Sequence, residues 1–289
     1  MNTENQITLP DGRKLTYAEF GQADGLPVLY FHGAPSSRLE PLFLGDEAWA
    51  RQGLRVIAPD RPGMGGSDFQ PGRTFLDWPK DVVALADALG LARFAVLGNS
   101  GGAGYVLVCA ARIPERLRAA VIVSGGWRMD APEARALPFM NRLVLVLAAR
   151  APWLLRLLLM GMGSVAQGER EKELAQMKRR MPAADYAAFA EPGRLEAFGQ
   201  MMRACLRQGT RGAAWDLGLY VRPFGFALAE IALPLTLFHG ARDCNSPLAL
   251  VRRLARELPQ ARLITYPDDA HLSTLCNHLA EYAQALRET

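Results

Sequence analysis

The chain has 289 residues, half of them hydrophobic, with a formal net charge of +4; it can bury a full core, either as one large domain or as a core with a smaller insert. Its four cysteines (Cys109, Cys205, Cys244, Cys276) lack C-x-x-C spacing and its four histidines lack H-E-x-x-H or close pairing, which argues against a disulfide frame, a zinc site or another metal. The start M-N-T-E-N-Q-I-T has no basic segment followed by an apolar one, so no secretory signal is visible and a cytoplasmic location is expected.

In chain order, a β-hairpin is expected around Asp11-Gly12, then a buried strand near 27–32 and a helix near 39–51. The strand L-R-V-I-A-P runs into a loop from Asp60 to Asp68. A helix near 75–89 precedes the apolar strand that ends in G-N-S-G-G (98 to 102), and a helix follows that strand to about Pro114. The strand L-R-A-A-V-I-V-S (117 to 124) comes next. After a long interval the alternation resumes at Leu233, with a strand at 261–266 and helices near 247–257 and 271–287. Short apolar strands alternating with helices predict a mainly parallel sheet covered on both faces.

The interval from Trp127 to Ala232 shows no strand pattern. Leu174, Met177 and Met181 fall at helical spacing, as do Leu195, Phe198, Met201, Met202 and Cys205, and Pro138, Pro152, Pro182 and Pro192 cut the interval into several helices. Residues 139 to 163 raise a membrane question. Arg142, Arg150, Arg156 and Pro152 interrupt the apolar runs, and no uninterrupted stretch nears the ~20 residues of a span. A helix packed on the core, or dipping into a lipid surface, fits better. Residues 127 to 231 hold 15 Lys+Arg against 10 Asp+Glu. Ordinarily this is a solvated basic surface; the functional alternative is weak attraction to an anionic substrate, carrier or membrane surface. No nucleic-acid motif accompanies it, so no nucleic-acid partner is expected.

Chemistry points to Ser100. Gly98, Ser100 and Gly102 make G-x-S-x-G at a strand-to-helix turn, where small neighbours permit a sharp bend that exposes Oγ. Alone, the pattern also arises by chance. A phosphate-binding turn is the rival, but Leu107 stands where G-x-G-x-x-G needs a small residue, and no G-x-x-x-x-G-K-[ST] occurs. A serine nucleophile needs a base, and the base an orienting acid. His32 and His239 end apolar strands as His-Gly pairs and read as loop supports. His278 falls inside the last helix, where a surface or packing role is expected. His271, on a loop after a strand and opening that helix, remains. For the acid, Asp243 lies three residues past the strand that carries Leu237 and Phe238; Asp268 and Asp269 are poorly placed rivals on the turn of His271, and Asp130 is a distant one. The order Ser100, Asp243, His271 is that of one serine-hydrolase architecture.

Five stretches in order carry a resemblance: His32-Gly33-Ala34-Pro35, D-R-P-G-M-G-G-S-D (60 to 68), G-N-S-G-G, H-G-A-R-D (239 to 243) and D-D-A-H (268 to 271). The chain resembles an α/β-hydrolase with an inserted cap over nearly its whole length. The resemblance implies a core at 1–126 and 233–289, a helical cap or lid at 127–232 above the catalytic edge, and an oxyanion hole from the amides of Ala34 and Gly101. His-Gly-x-Pro resembles the epoxide-hydrolase form of that loop. Those enzymes use an aspartate nucleophile, however, and an alkyl ether on serine does not hydrolyse like an ester, which argues against epoxide and haloalkane chemistry.

The expected function is hydrolysis of a small or medium apolar carboxylic ester, lactone or thioester through an acyl-enzyme, without cofactor. Asn99, Trp127 and Met129 are the expected substrate contacts. Two alternatives stand: carbon–carbon bond hydrolysis of dienoic diketones, whose G-N-S-x-G-G resembles this elbow less one residue, with Arg38, Arg128 or cap arginines to hold the anion; and a non-catalytic binding protein or receptor on the same fold. Oligomeric state is not legible.

Overall fold

The computed structural model describes residues 1–165 and 178–288. Eight strands form one sheet in the order β1-β2-β4-β3-β5-β6-β7-β8. They are β1 (Asn2–Thr8), β2 (Lys14–Gly21), β3 (Leu26–Phe31), β4 (Leu54–Pro59), β5 (Phe94–Asn99), β6 (Leu117–Val123), β7 (Leu235–Gly240) and β8 (Ala261–Tyr266). β1 pairs with β2, and β2 with β4, antiparallel; every other neighbouring pair is parallel. The first hairpin turns where the sequence marks it: Gly12 takes a φ of +85°, and the Asp11 carboxylate accepts the Arg13 N–H.

Successive side chains of the central strands go to opposite faces, and both faces are covered. Leu29 and Phe31 of β3, with Phe94 and Val96 of β5, join one cluster beneath the helices Trp78–Ala88, Gly102–Arg112 and Leu248–Glu257. Val28 and Tyr30, with Ala95 and Leu97, join the other, against Trp49 and Tyr282 of the helices Asp46–Arg51 and Leu279–Ala285. This two-sided burial is why β5 reads as an unbroken apolar run.

Two expected helices are divided. Near 39–51, Gly45 at φ +80° separates a 3-10 turn (Glu40–Phe43) from the helix Asp46–Arg51. At the C-terminus, helices His271–Asn277 and Leu279–Ala285 meet at His278, whose ring stacks on Tyr266 at 3.4 Å and bonds Asp269 and Glu281. His278 ends one helix and begins the next.

Between β6 and β7 the described residues form helices and no strand: Phe139–Arg150, Pro152–Val165, Ala183–Ala190, Arg194–Cys205 and Arg211–Leu219. The prolines act as the sequence predicts. Pro138 and Pro182 precede helices and Pro152 opens one, positions where a missing N–H loses nothing. Leu195, Phe198, Met201, Met202 and Cys205 share one helix. Leu174 and Met177 lie outside the described residues, and Met181 stands in a bend before Pro182. Among the described residues no helix is long and apolar enough to cross a membrane.

Candidate active site

Ser100 follows β5 at φ +51°, a left-handed conformation that side chains rarely adopt. Its surroundings impose it. A Cβ on Gly102 would lie 2.0 Å from the Phe31 carbonyl oxygen, and one on Gly98 2.6 Å from the Gly102 oxygen. The turn is pinned to β6: Ser100 N–H donates to the Val123 carbonyl at 2.9 Å, and Gly126 N–H to the Ser100 carbonyl at 2.8 Å.

The loop after β3 passes beside this turn. His32 Nδ1–H donates to the Gly33 carbonyl at 2.9 Å; its other nitrogen faces the Arg61 N–H, so the ring is neutral. Burial, with the Arg61 guanidinium nearby, holds its pKa well below the ordinary imidazole value. Arg61 also donates to the His32 and Gly33 carbonyls, while Gly33 N–H donates to Glu40 Oε2 at 2.9 Å. With that loop held, the N–H groups of Ala34 and Gly101 have no acceptor among the described residues. The two are adjacent, since a Cβ on Gly101 would fall 2.8 Å from that of Ala34. Paired free amides at the start of a helix suit a developing oxyanion.

His271 Nδ1 lies 2.7 Å from Asp243 Oδ2, while Asp243 Oδ1 accepts the N–H groups of Asn245 and Ser246, each at 2.8 Å. Burial opposes charge on His271, but the Asp243 carboxylate outweighs it, and the pKa is raised above the usual imidazole value. The three rival acids are occupied elsewhere: Asp268 pairs with Arg242, Asp130 with Arg128, and Asp269 with His278. His239 lies behind the pair. Its Nε2–H donates to the Ser246 carbonyl at 2.8 Å, which leaves Nδ1 buried without a partner, and burial lowers its pKa. No hydrogen bond closes between Ser100 Oγ and His271; such contacts are often long before substrate binds.

Ser100 and His271 border two cavities, of about 750 and 380 Å³, that share Ala34, Pro35, Asn141 and Asn245 in their walls. The smaller is aliphatic, with Met129, Leu145, Leu159 and Leu217; the larger is richer in rings, with Phe43, Phe189 and Phe198. Asn99 lines the larger one. Its amide donates to Glu40 Oε1 at 2.8 Å, an acceptor-only carboxylate oxygen that orients the group and leaves Asn99 Oδ1 buried and unpartnered. Trp127 is a correction. It borders neither cavity but packs in the core, its ring 4.2 Å from that of Phe224. Arg128 between them turns through φ +43°, so Trp127 and Met129 do not share a face as extended chain would have them. Arg38 and Arg128, expected as anion ligands, are tied to Asp60 and Asp130. Among the described residues, Arg180 is the arginine on the walls of these two cavities.

Three residues of the insert reach the site without having been singled out in the sequence. Tyr220 Oη donates to the Gly101 carbonyl at 2.6 Å. Asp216 bonds Arg61, Arg73 and Tyr105, all buried; burial opposes its charge, but the two arginines hold its pKa at about 2. Asp185 accepts the N–H groups of His271, Leu272 and Ser273. An acid amid apolar neighbours in A-A-W-D-L was the available signal for Asp216; Asp185 looks like any acid in a helix's first turn. Among the described residues no cluster of His, Cys, Asp and Glu suits a metal ion.

A family model described as alpha/beta hydrolase fold matches residues 27–275. The chain is 39% identical to a non-heme chloroperoxidase of Streptomyces lividans over 41% of its length, and spans 43% of that protein. It is 26% identical to a bifunctional esterase/perhydrolase of Acinetobacter calcoaceticus over 92% of both chains. To a 2-hydroxymuconate semialdehyde hydrolase of Pseudomonas putida it is 28% identical, over 92% of this chain and 85% of that one. A thermophilic esterase of Thermogutta terrifontis superposes with a TM-score of 0.66 at 26% identity, covering 99% of this chain and 97% of that one.

Proposed function

The chain belongs to the α/β-hydrolase fold family, and on that premise we propose that it is a serine hydrolase acting on a small or medium apolar carboxylic ester. Ser100 Oγ attacks the carbonyl carbon while His271, oriented by Asp243, takes its proton. The amides of Ala34 and Gly101 receive the oxyanion. His271 then protonates the departing alcohol, and water, activated by the same imidazole, hydrolyses the acyl-enzyme. No cofactor enters these steps. The observation that carries the reading is that Ala34, Ser100, Gly101 and His271 border one cavity while Asp243 bonds the far nitrogen of the ring. Residues 1–126 and 233–289 then serve as the catalytic core and 127–232 as the cap.

Aliphatic and aromatic walls support an apolar acyl or alcohol part, with Met129 and Asn99 as contacts. Lactones and thioesters need the same groups. The exposed face of the helices Phe139–Arg150 and Pro152–Val165 mixes apolar side chains with Arg142, Arg150 and Arg156, and no acidic residue lies between 139 and 165, which supports weak association with an anionic surface. A fluorophosphonate probe should label Ser100, and a p-nitrophenyl ester series should be turned over with a chain-length optimum. Ser100→Ala should lose both, at least ~10⁴-fold in kcat, with the fold retained. Labelling that persists in the alanine variant would overturn the assignment.

A second reading, carbon–carbon bond hydrolysis of a dienoic diketone, is favoured by the similarity to the 2-hydroxymuconate semialdehyde hydrolase and by Arg180 on the cavity wall. Turnover of such a diketone above every ester would select it. Probe labelling without turnover of either class would select a binding protein.

A further inference from the structure

The helix His271–Asn277 lacks a cap of its own. A helix N-terminus leaves N–H groups unpaired, and Ser, Thr, Asp or Asn usually stands before it to accept them. Here that position is Ala270, whose side chain offers no acceptor. The Ser273 hydroxyl is occupied by the Ala270 N–H, at 2.7 Å. The acceptor comes instead from the insert: Asp185 Oδ1 takes the N–H groups of Leu272 and Ser273 at 2.8 and 2.9 Å, and Oδ2 that of His271 at 3.2 Å. Asp185 is 4% exposed and sits in the first turn of Ala183–Ala190, just after Pro182. The segment that lines the substrate cavity thus holds the backbone of the imidazole residue itself.

We propose that Asp185 is a positioning residue for His271, so that docking of the helix Ala183–Ala190 on the core sets both the placement of the imidazole and the negative charge around it. The inference rests on the reading of His271 as the base. Three carboxylates face that ring: Asp243 from the loop after β7, Asp185 from the insert and Glu40 from the 3-10 turn, each favouring the imidazolium. His239 and Cys244 are further titratable neighbours, and Arg180 stands on the wall of the larger cavity that Asp185 and His271 also line; His239 is neutral and buried, and Cys244 has its thiol pKa raised by burial. Asp243 fixes one nitrogen and Asp185 fixes the main chain, so the ring is held from two sides.

The test is Asp185→Asn, which keeps one acceptor oxygen and the side-chain shape but removes the charge and turns an N–H donor toward the His271 N–H. The His271 imidazole, followed by NMR, should titrate about half a pH unit lower than in the wild type, the shift a single charge several ångströms away gives in a water-like medium. With an ester substrate the acid limb of kcat should move down with it, and kcat should fall about tenfold with KM little changed, as for loss of an interaction that orients the base. An unmoved imidazole titration would overturn the proposal. A shifted titration in a protein without ester turnover would uphold it and sink the ester reading instead. Hydrogen exchange on the wild type provides a check independent of how the variant folds: the Leu272 and Ser273 amides should open together with the helix Ala183–Ala190. Fast exchange of those two amides while that helix stays protected would overturn the proposal.

Discussion

In the sheet, β5 is buried at every position, and the side chains of β3 and β5, and of β6 from Ala119 on, sort into two clusters by alternation. The insert behaves otherwise. Of nine large apolar side chains left exposed among the described residues, seven (Phe139, Met140, Val146, Trp153, Leu154, Leu157 and Met160) stand on two of its helices, while acids from other insert helices lie buried against the core. The sheet supplies fixed points, namely a strained serine, two free amides, and an acid with its histidine. The insert supplies cavity walls, and three of its buried polar side chains, Tyr220, Asp216 and Asp185, bond the segments that carry those fixed points. On the proposed mechanism, rate and specificity should therefore separate by region, except where an insert residue bonds the backbone at Gly101 or His271.

The largest effect expected is in the core. Asp243→Asn should lower kcat by ~10⁴-fold with KM little changed, because the wrong imidazole tautomer is then favoured; Asp130→Asn and Asp268→Asn should stay near wild type. Full activity in the first variant would remove Asp243 from the mechanism. Asp216→Asn attacks the seam between the regions. It leaves Arg61 and Arg73 buried without their carboxylate, and denaturant unfolding should show a loss of ~3–5 kcal/mol. The pH dependence has a definite sign. The Asp216 pKa is about 2 when folded against 3.8 ordinarily, so its contribution is whole above about pH 4 and fades as pH falls toward 2.

Two substitutions that look alike in sequence then test where specificity lives. Trp127→Ala should cost ~3–5 kcal/mol of stability, as a buried aromatic does, without moving the ester chain-length optimum. Leu217→Ala, in the smaller cavity, should move the optimum toward longer chains, by ~1–3 kcal/mol per methylene. The reverse pattern would return Trp127 to the cavity wall. Smallest of all, Trp153→Ser on the exposed face should change stability by less than ~0.5 kcal/mol, whereas Leu155→Ala, its fully buried neighbour, should cost ~2–5 kcal/mol. Equal effects would mean that the outer face is covered.

Much of this was legible in the sequence. Strand alternation and G-x-S-x-G are local patterns, and Asp243 and His271 follow strand ends, so order along the chain was enough to pair them. What escaped depended on contacts across long separations. Trp127 was misplaced because one left-handed residue, Arg128, reverses the face that extended chain would present. Asp185 and Asp216 meet partners 86 to 155 residues away, and no periodicity encodes such a meeting. The break at His278 depends on a ring stack with Tyr266 that no capping signal announces.

Tyr220, Asp216 and Asp185 attach the C-terminal part of the insert by buried polar bonds, whereas the helices Phe139–Arg150 and Pro152–Val165 rest on it through Ala148, Leu155 and Leu159, with Asn141 bonded to Asn245 at the surface. These two seams would part at different energies. Drawing the helix Arg211–Leu219 away would strand a carboxylate between two arginines, whereas drawing the first two helices away would break the apolar contacts of Ala148, Leu155 and Leu159. Of the two seams, the apolar one along those first two helices is therefore the one whose amides should exchange at the lower opening energy.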